Sequence, residues 1–119
     1  MKNKIAIYIG IAILAIIGAF FLFRPKTTGK ETSAITLFSR YDCPHCQNVE
    51  TYIRQNKIEE KIKFEKKEIH ESANANLLLE KAKLCAIPED QIGVPLLFDG
   101  QKCYIGDQDI INYFIENTK

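Results

Sequence analysis

Cys43-Pro44-His45-Cys46 is the stretch of this chain in which residue types and spacing together suggest chemistry. Two thiols three residues apart, carried on one turn of helix, fall on the same side and come within bridging distance. Such a pair can exchange electrons with another disulfide: one thiolate attacks a sulfur, and the second thiol resolves the mixed disulfide. Pro44 suits the first helical position, which puts Cys43 at the N-cap, facing unpaired amide hydrogens and the positive end of the helix dipole. That setting favours a thiolate at Cys43. The apolar stripe Cys46, Val49, Ile53 turns Cys46 inward and Cys43 outward, so Cys43 is expected to attack and Cys46 to resolve. His45 can donate a hydrogen bond or positive charge to the Cys43 thiolate and make the disulfide more oxidising. A solvated loop histidine is the plainer reading of the same residue.

The remaining thiols bear on the alternatives. A lone C-x-x-C is also half of a zinc site, and Cys85, Cys103 and His70 are the residues that would complete one. Zinc pairs usually come as two knuckles of similar spacing, whereas Cys85 and Cys103 lie far apart on different elements, so no metal is expected. Either they are small buried core residues, or they form a structural or second redox disulfide, which would favour an oxidising compartment. Tyr41 and Asp42, bordering the C-x-x-C, either line a substrate groove or tune Cys43, though a loop position explains them equally well. His70, at the end of a polar strand, reads as solvated.

The elements that must position these residues follow from periodicity. Ile35, Leu37 and Phe38 mark a first strand, ended by Arg40-Tyr41-Asp42. A helix opens at Pro44 and runs through Lys57. Ile62 and Phe64 alternate with charges in a weak strand whose lysines suit a sheet edge. Ser72 is placed to cap a second helix carrying Leu77, Leu78, Leu84 and Cys85 on one side and ended by Pro88. Val94 to Phe98 forms the next strand, and Asp99-Gly100 signals a tight hairpin into Lys102–Ile105. Asp107 is placed to cap a last helix burying Ile110, Ile111, Phe114 and Ile115. The order is β-α-β-α-β-β-α, an α/β domain on a four-stranded mixed sheet whose first two strands are parallel with a right-handed crossover.

C-P-H-C after a strand, followed by Gly93-Val94-Pro95 entering another, resembles the glutaredoxin branch of the thioredoxin fold over roughly residues 34–119. The resemblance implies that Pro95 is cis, packs against the active-site cysteines and, with Val94, exposes backbone for strand-like pairing with a substrate. It also implies a substrate-side role for Gly106 and Asp107, where glutaredoxins commonly hold a Gly-Gly and Asp/Ser cluster for glutathione. This chain has Ile105-Gly106 there, with one glycine. The Pro-His dipeptide is similar to that of DsbA-type disulfide oxidases, which carry a helical insertion for which this chain has no room. A glutaredoxin-like fold with a more oxidising poise is therefore expected; the exchange itself requires no cofactor, and glutathione is the one small partner the resemblance brings in.

Ahead of this domain, Ile5 to Phe23 carry no charge, and a helix of that length spans roughly 28 Å, close to the ~30 Å of a bilayer's hydrocarbon. We expect residues 1–23 to form an uncleaved transmembrane anchor, because the apolar run is long for a signal peptide and no small-x-small cleavage site follows. Residues 24–33, polar throughout, read as a tether reaching roughly 17 Å root-mean-square. Lys2 and Lys4 against Arg24, Lys26 and Lys30 leave the positive-inside count a draw. Sixteen Lys and Arg against 15 Asp and Glu leave a net charge of +1, which argues against a nucleic-acid partner. The expectation is a membrane-anchored thiol-disulfide oxidoreductase, its domain outside the cytoplasm, exchanging disulfides with protein substrates and reset by a redox partner. Its rivals are a cytoplasm-facing glutaredoxin-like reductase and a non-enzymatic module binding a soft metal through C-P-H-C.

Overall fold

A computed structural model describes residues 1–22 and 35–119. The expected tether at 24–33, and the boundary residues Phe23 and Ala34, lie outside the described residues. Contacts divide the chain into Met1–Lys30 and Glu31–Lys119. In the first unit, helix α1 (Lys2–Leu22) has 21 residues and is long and apolar enough to cross a membrane. Its intrahelical hydrogen bonds meet the condition that hydrocarbon imposes on any spanning backbone.

The second unit runs β1 (Ile35–Ser39), α2 (Pro44–Gln55), α3 (Ile58–Lys61), β2 (Phe64–Glu68), α4 (Ser72–Leu84), a 3₁₀ turn (Glu89–Gln91), β3 (Leu96–Phe98), β4 (Cys103–Ile105) and α5 (Asp107–Asn117). The four strands form one mixed sheet in the order β2-β1-β3-β4, with β1 parallel to β2 and both β1–β3 and β3–β4 antiparallel. β1 therefore lies inside the sheet and buries both faces. Leu37, paired with Leu97, joins Val49, Ile53, Ile58, Ile110 and Phe114 on the side of α2 and α5. Phe38, paired with Leu96, joins Leu78 and Phe98 on the side of α4. The lysine-rich strand takes the edge that its charges suit. Lys66 falls on the helix side, and its ammonium reaches Glu59 at 2.7 Å and Glu50 at 3.0 Å instead of entering the core.

Several expected boundaries move. α2 stops at Gln55, because Lys57 turns left-handed (φ 53°) and starts α3, whose Ile58 is wholly buried. β2 begins at Phe64, leaving Ile62 as the residue that ends α3. Ser72 is the first residue of α4 and caps nothing; the N-cap is Glu71, and Asn74 ties that turn down by donating to the Glu68 carbonyl at 3.0 Å. Leu84 is 66% exposed, and Ala82 is buried with Leu78 in its stead. Gly106, not Asp107, is the N-cap of α5, and the buried residues there are Ile110, Tyr113 and Phe114. Those three keep one helical face, which leaves Ile111 half-buried and turns Ile115 out to solvent. β3 begins at Leu96, after Val94 and a proline with no amide hydrogen for a ladder.

The hairpin turn is shifted by one residue. Asp99 N–H donates to the Lys102 carbonyl at 3.0 Å, so the loop is Gly100-Gln101, with Gly100 at φ 99° in the first central position. Positive φ at that position alone matches a type II′ hairpin turn. The Asp99 side chain accepts from the amides of Gln101 and Lys102 at 2.8 and 2.7 Å and so acts as the turn's brace.

α4 ends in a Schellman arrangement. Ile87 N–H donates to the Ala82 carbonyl and Ala86 N–H to that of Lys83, both at 3.0 Å, with Ala86 left-handed at φ 54°. A β-carbon costs about 1–2 kcal/mol in that region, and glycine gives back roughly 0.5–1 kcal/mol through its freer unfolded chain. Ala86→Gly should therefore raise the unfolding free energy by about 0.5 kcal/mol and Ala86→Val should lower it. Denaturant titrations of the two variants check both signs.

Candidate functional site

β1 ends at Ser39 beside β2 and β3, and the chain turns over Arg40-Tyr41-Asp42 before α2 begins. Cys43 N–H donates to the Arg40 carbonyl at 3.2 Å, closing that turn. Cys43 then takes the extended backbone of an N-cap (φ −103°, ψ 118°), with Pro44 at the first helical position. Its sulfur accepts a hydrogen bond from the Cys46 N–H at 3.2 Å. One of the helix's unpaired amides is thus aimed at the sulfur that would carry negative charge during an attack.

Cys43 is less outward than the helical stripe implies. Only 6% of it is exposed, because the segment before β3 lies over it and the Cys43 sulfur sits 3.8 Å from the Val94 carbonyl oxygen. It is reached through a cavity of about 440 Å³, whose walls include Arg40, Ile69, Leu78, Ile92 and Gly93. Cys46, 1% exposed, lies behind it, and both thiols are free. Burial first, and then the adjoining Cys43 sulfur, push the Cys46 thiol up to about 12, against a smaller opposing pull from the Arg40 backbone. The two sulfurs are therefore unequal: one borders the cavity at a helix N-terminus, and the other is held as a protonated thiol.

The Val94–Pro95 peptide is cis, Pro95 is buried, and its carbonyl accepts the Gly106 N–H at 3.0 Å. This bond ties the strand beside Cys43 to the start of α5. Asp107, the next residue, points its carboxylate back at α2: Oδ2 accepts from Asn48 Nδ2 at 2.7 Å and pairs with His45 Nδ1 at 3.2 Å. These partners, Asn48 before His45, hold the Asp107 carboxyl below the usual range. The described contact of the His45 ring is thus with Asp107, and 71% of its side chain is exposed.

A second group flanks the turn on the β2 side. The parallel register sets Glu68 beside Ser39. From there its carboxylate accepts the Tyr41 N–H at 2.9 Å and pairs with His70 Nδ1 at 2.7 Å, while the Tyr41 and His70 rings stack at 4.5 Å. Burial would raise the Glu68 carboxyl, but these hydrogen bonds hold it below its usual range. Tyr41 itself is 71% exposed, its ring lying on that of His70. Arg40 and Asp42 complete the rim as an ion pair of 2.7 Å.

Cys85 and Cys103 are joined in a disulfide with their Cα atoms 6.0 Å apart. Neither can then complete a ligand set with Cys43 and Cys46, and among the described residues no three His, Cys, Asp or Glu side chains group as metal ligands. Sequence reasoning did not single out Asn48, Glu68 or Ile92, and it left His70 to solvent. A signal existed for Glu68 and His70: in a parallel pair the carboxyl ends of both strands lie together, where open α/β sheets place their sites. No family model, curated protein or solved structure matches the chain.

Because the folded value of Cys46 lies above the ordinary 9.0, the folded reduced protein keeps its full stability with respect to this group below about pH 9 and loses it progressively as pH rises towards 12. At pH 8 the thiolate fraction of Cys46 falls about a thousandfold below that of an ordinary thiol. Iodoacetamide should therefore modify Cys46 at least a hundredfold more slowly in the folded reduced protein than in guanidinium, roughly and at minimum. Time-resolved mass mapping of the two cysteines measures this ratio.

Proposed function

We propose that this chain is a membrane-anchored thiol-disulfide oxidoreductase that exchanges disulfides with protein substrates through Cys43 and Cys46. The observation that carries the reading is the Cys46 amide donated to the Cys43 sulfur at the mouth of the cavity, with the Cys46 thiol held protonated behind it. In the reducing direction the Cys43 thiolate attacks a substrate disulfide and forms a mixed disulfide. The departing substrate sulfur leaves with the bonding electron pair. Cys46, losing its proton as it attacks Cys43, then closes the internal disulfide and releases the second substrate thiol. The oxidising direction is the reverse, and the two sulfurs carry both electrons, so no cofactor is required.

The thioredoxin/glutaredoxin-like fold is part of the proposal. Its support is the element order, the central β1 leading into the C-x-x-C helix, and the Val94–Pro95 segment beside Cys43. The cavity's apolar wall of Ile69, Leu78 and Ile92, with Val94 backbone beside Cys43, suits an extended polypeptide around a cysteine. Gly106 and Asp107 are turned inward: the Gly106 amide is taken by Pro95 and the Asp107 carboxylate by Asn48 and His45. That favours a protein substrate over glutathione. The Cys85–Cys103 disulfide favours an oxidising compartment, so α1 is read as the anchor of a domain outside the cytoplasm and not of a cytoplasmic reductase. A separate dithiol or disulfide partner must reset the pair. The soft-metal reading loses its completing thiols to that disulfide.

Cys43→Ser in the purified full chain should lower disulfide reduction and dithiol oxidation by at least about a hundredfold, while Cys46→Ser should accumulate a mixed disulfide at Cys43. Unchanged turnover in Cys43→Ser rejects the enzyme. In intact cells a membrane-impermeant thiol reagent applied after mild reduction should label Cys43; labelling only after lysis would put the domain on the cytoplasmic side.

A further inference from the structure

The two cysteine pairs sit in different surroundings. The Cys85–Cys103 disulfide lies outside the Cys43 cavity, in a second cavity of about 410 Å³ that shares none of its walls with the first. Both of its cysteines are half-buried and line that opening. On its rim stand Leu84, 66% exposed, and Ile105, 41% exposed. Two large apolar side chains in water beside an accessible disulfide cost free energy that a partner's contact would recover. Ile105 also belongs to β4, an edge of the sheet, so backbone beside the disulfide is open to pairing with an extended segment.

Nothing in the fold requires the bond to stay closed. Cys85 is the C-cap of α4, an end already secured by the two Schellman hydrogen bonds from Ala86 and Ile87 and by buried Ala82 and Leu78. Cys103 lies in β4, which is held by its register with β3 and by the Asp99-braced turn. Each sulfur would therefore stay near the other when the bond opens, which a reversible exchange site needs and a staple joining two otherwise loose segments lacks.

The geometry points to Cys85–Cys103 as a second thiol-disulfide exchange site, whose co-substrate is a dithiol carried on an extended polypeptide. The surroundings also assign the order of events. Cys85, at the negative end of α4, is the poorer place for a thiolate, whereas Cys103 follows Lys102, which lines the same cavity. The partner's first thiolate attacks the Cys85 sulfur, and the Cys85–Cys103 bond breaks. Cys103 leaves with the electron pair and takes up a proton. The partner's second thiol, losing its proton, then attacks its own sulfur in the mixed disulfide and releases Cys85, which is protonated in turn. Two electrons and two protons enter the pair, and the partner leaves as a disulfide. The proposal does not depend on Cys43, because the two cavities are separate.

The test equilibrates the full chain, in detergent and without denaturant, across graded ratios of reduced to oxidised dithiothreitol and, separately, of glutathione. Acid quenching and differential alkylation then report each cysteine by mass, with circular dichroism recorded in parallel. Reversible opening and closing of Cys85–Cys103 with an unchanged folded spectrum is expected, with early glutathione adducts on Cys85 at least several-fold above those on Cys103. A pair that stays oxidised until the spectrum shows unfolding overturns the proposal and leaves a structural crosslink; adducts mainly on Cys103 overturn the assigned order. Cys43 and Cys46 are read in the same samples, and repeating the titration on Cys43→Ser/Cys46→Ser separates failure at this site from failure of the proposed active site.

Discussion

The hydrogen bond from the Cys46 amide to the Cys43 sulfur is the interaction on which the site depends, because it exists only if the chain that leaves the sheet at Ser39 turns and enters the helix at Pro44, directly after Cys43. β1 must end beside both neighbours, the Arg40–Asp42 turn must close on the Cys43 amide, and Pro44 must open the helix. Each condition has a separate physical source. Burial on both faces fixes β1, proline's fixed φ and missing amide hydrogen suit the first helical position, and the Glu68 carboxylate holds the turn from the next strand through the Tyr41 amide. A sulfur at the N-cap then needs no special side chain to receive an amide hydrogen.

The same arrangement makes the cysteines unequal. A helix places residues three apart on one side, but its first turn lies at the sheet's edge of solvent while the next turn already packs on the core. Cys46 belongs to the Val49 and Ile53 stripe and is desolvated with it. Cys43, one turn earlier, borders an open cavity and is covered only by the segment that leads into β3. The division of labour proposed for the pair follows from where one turn of helix crosses from cavity to core.

Much of this was legible in the sequence because it rests on local rules. The strand and helix positions follow from apolar periodicity, and Pro44 fixes the register that puts Cys43 at the N-cap. What was not legible rests on long-range placement or on backbone that side-chain patterning does not encode. Asp107 reads as a helix cap, and an acidic residue in that position often is one; here Gly106 takes the cap, and the carboxylate is freed to bridge to Asn48 and His45 on another helix. His70 reads as a solvated end of a polar strand until the parallel register brings it under Tyr41. The left-handed turns at Lys57 and Ala86 carry no glycine, so nothing in the residue types announced them.

α4 ties these observations together. Its first two turns supply Ala75 and Leu78 to the wall of the Cys43 cavity, and its last turn delivers Cys85 to the second disulfide. Leu78 seats the helix on Phe38, Leu96 and Phe98, and Ala82 is buried one turn later. The Schellman hydrogen bonds secure that last turn with the disulfide open or closed, so the position of the cavity wall is set by how the helix packs on the sheet. One helix thus serves both pairs of cysteines, although the two cavities share none of their walls.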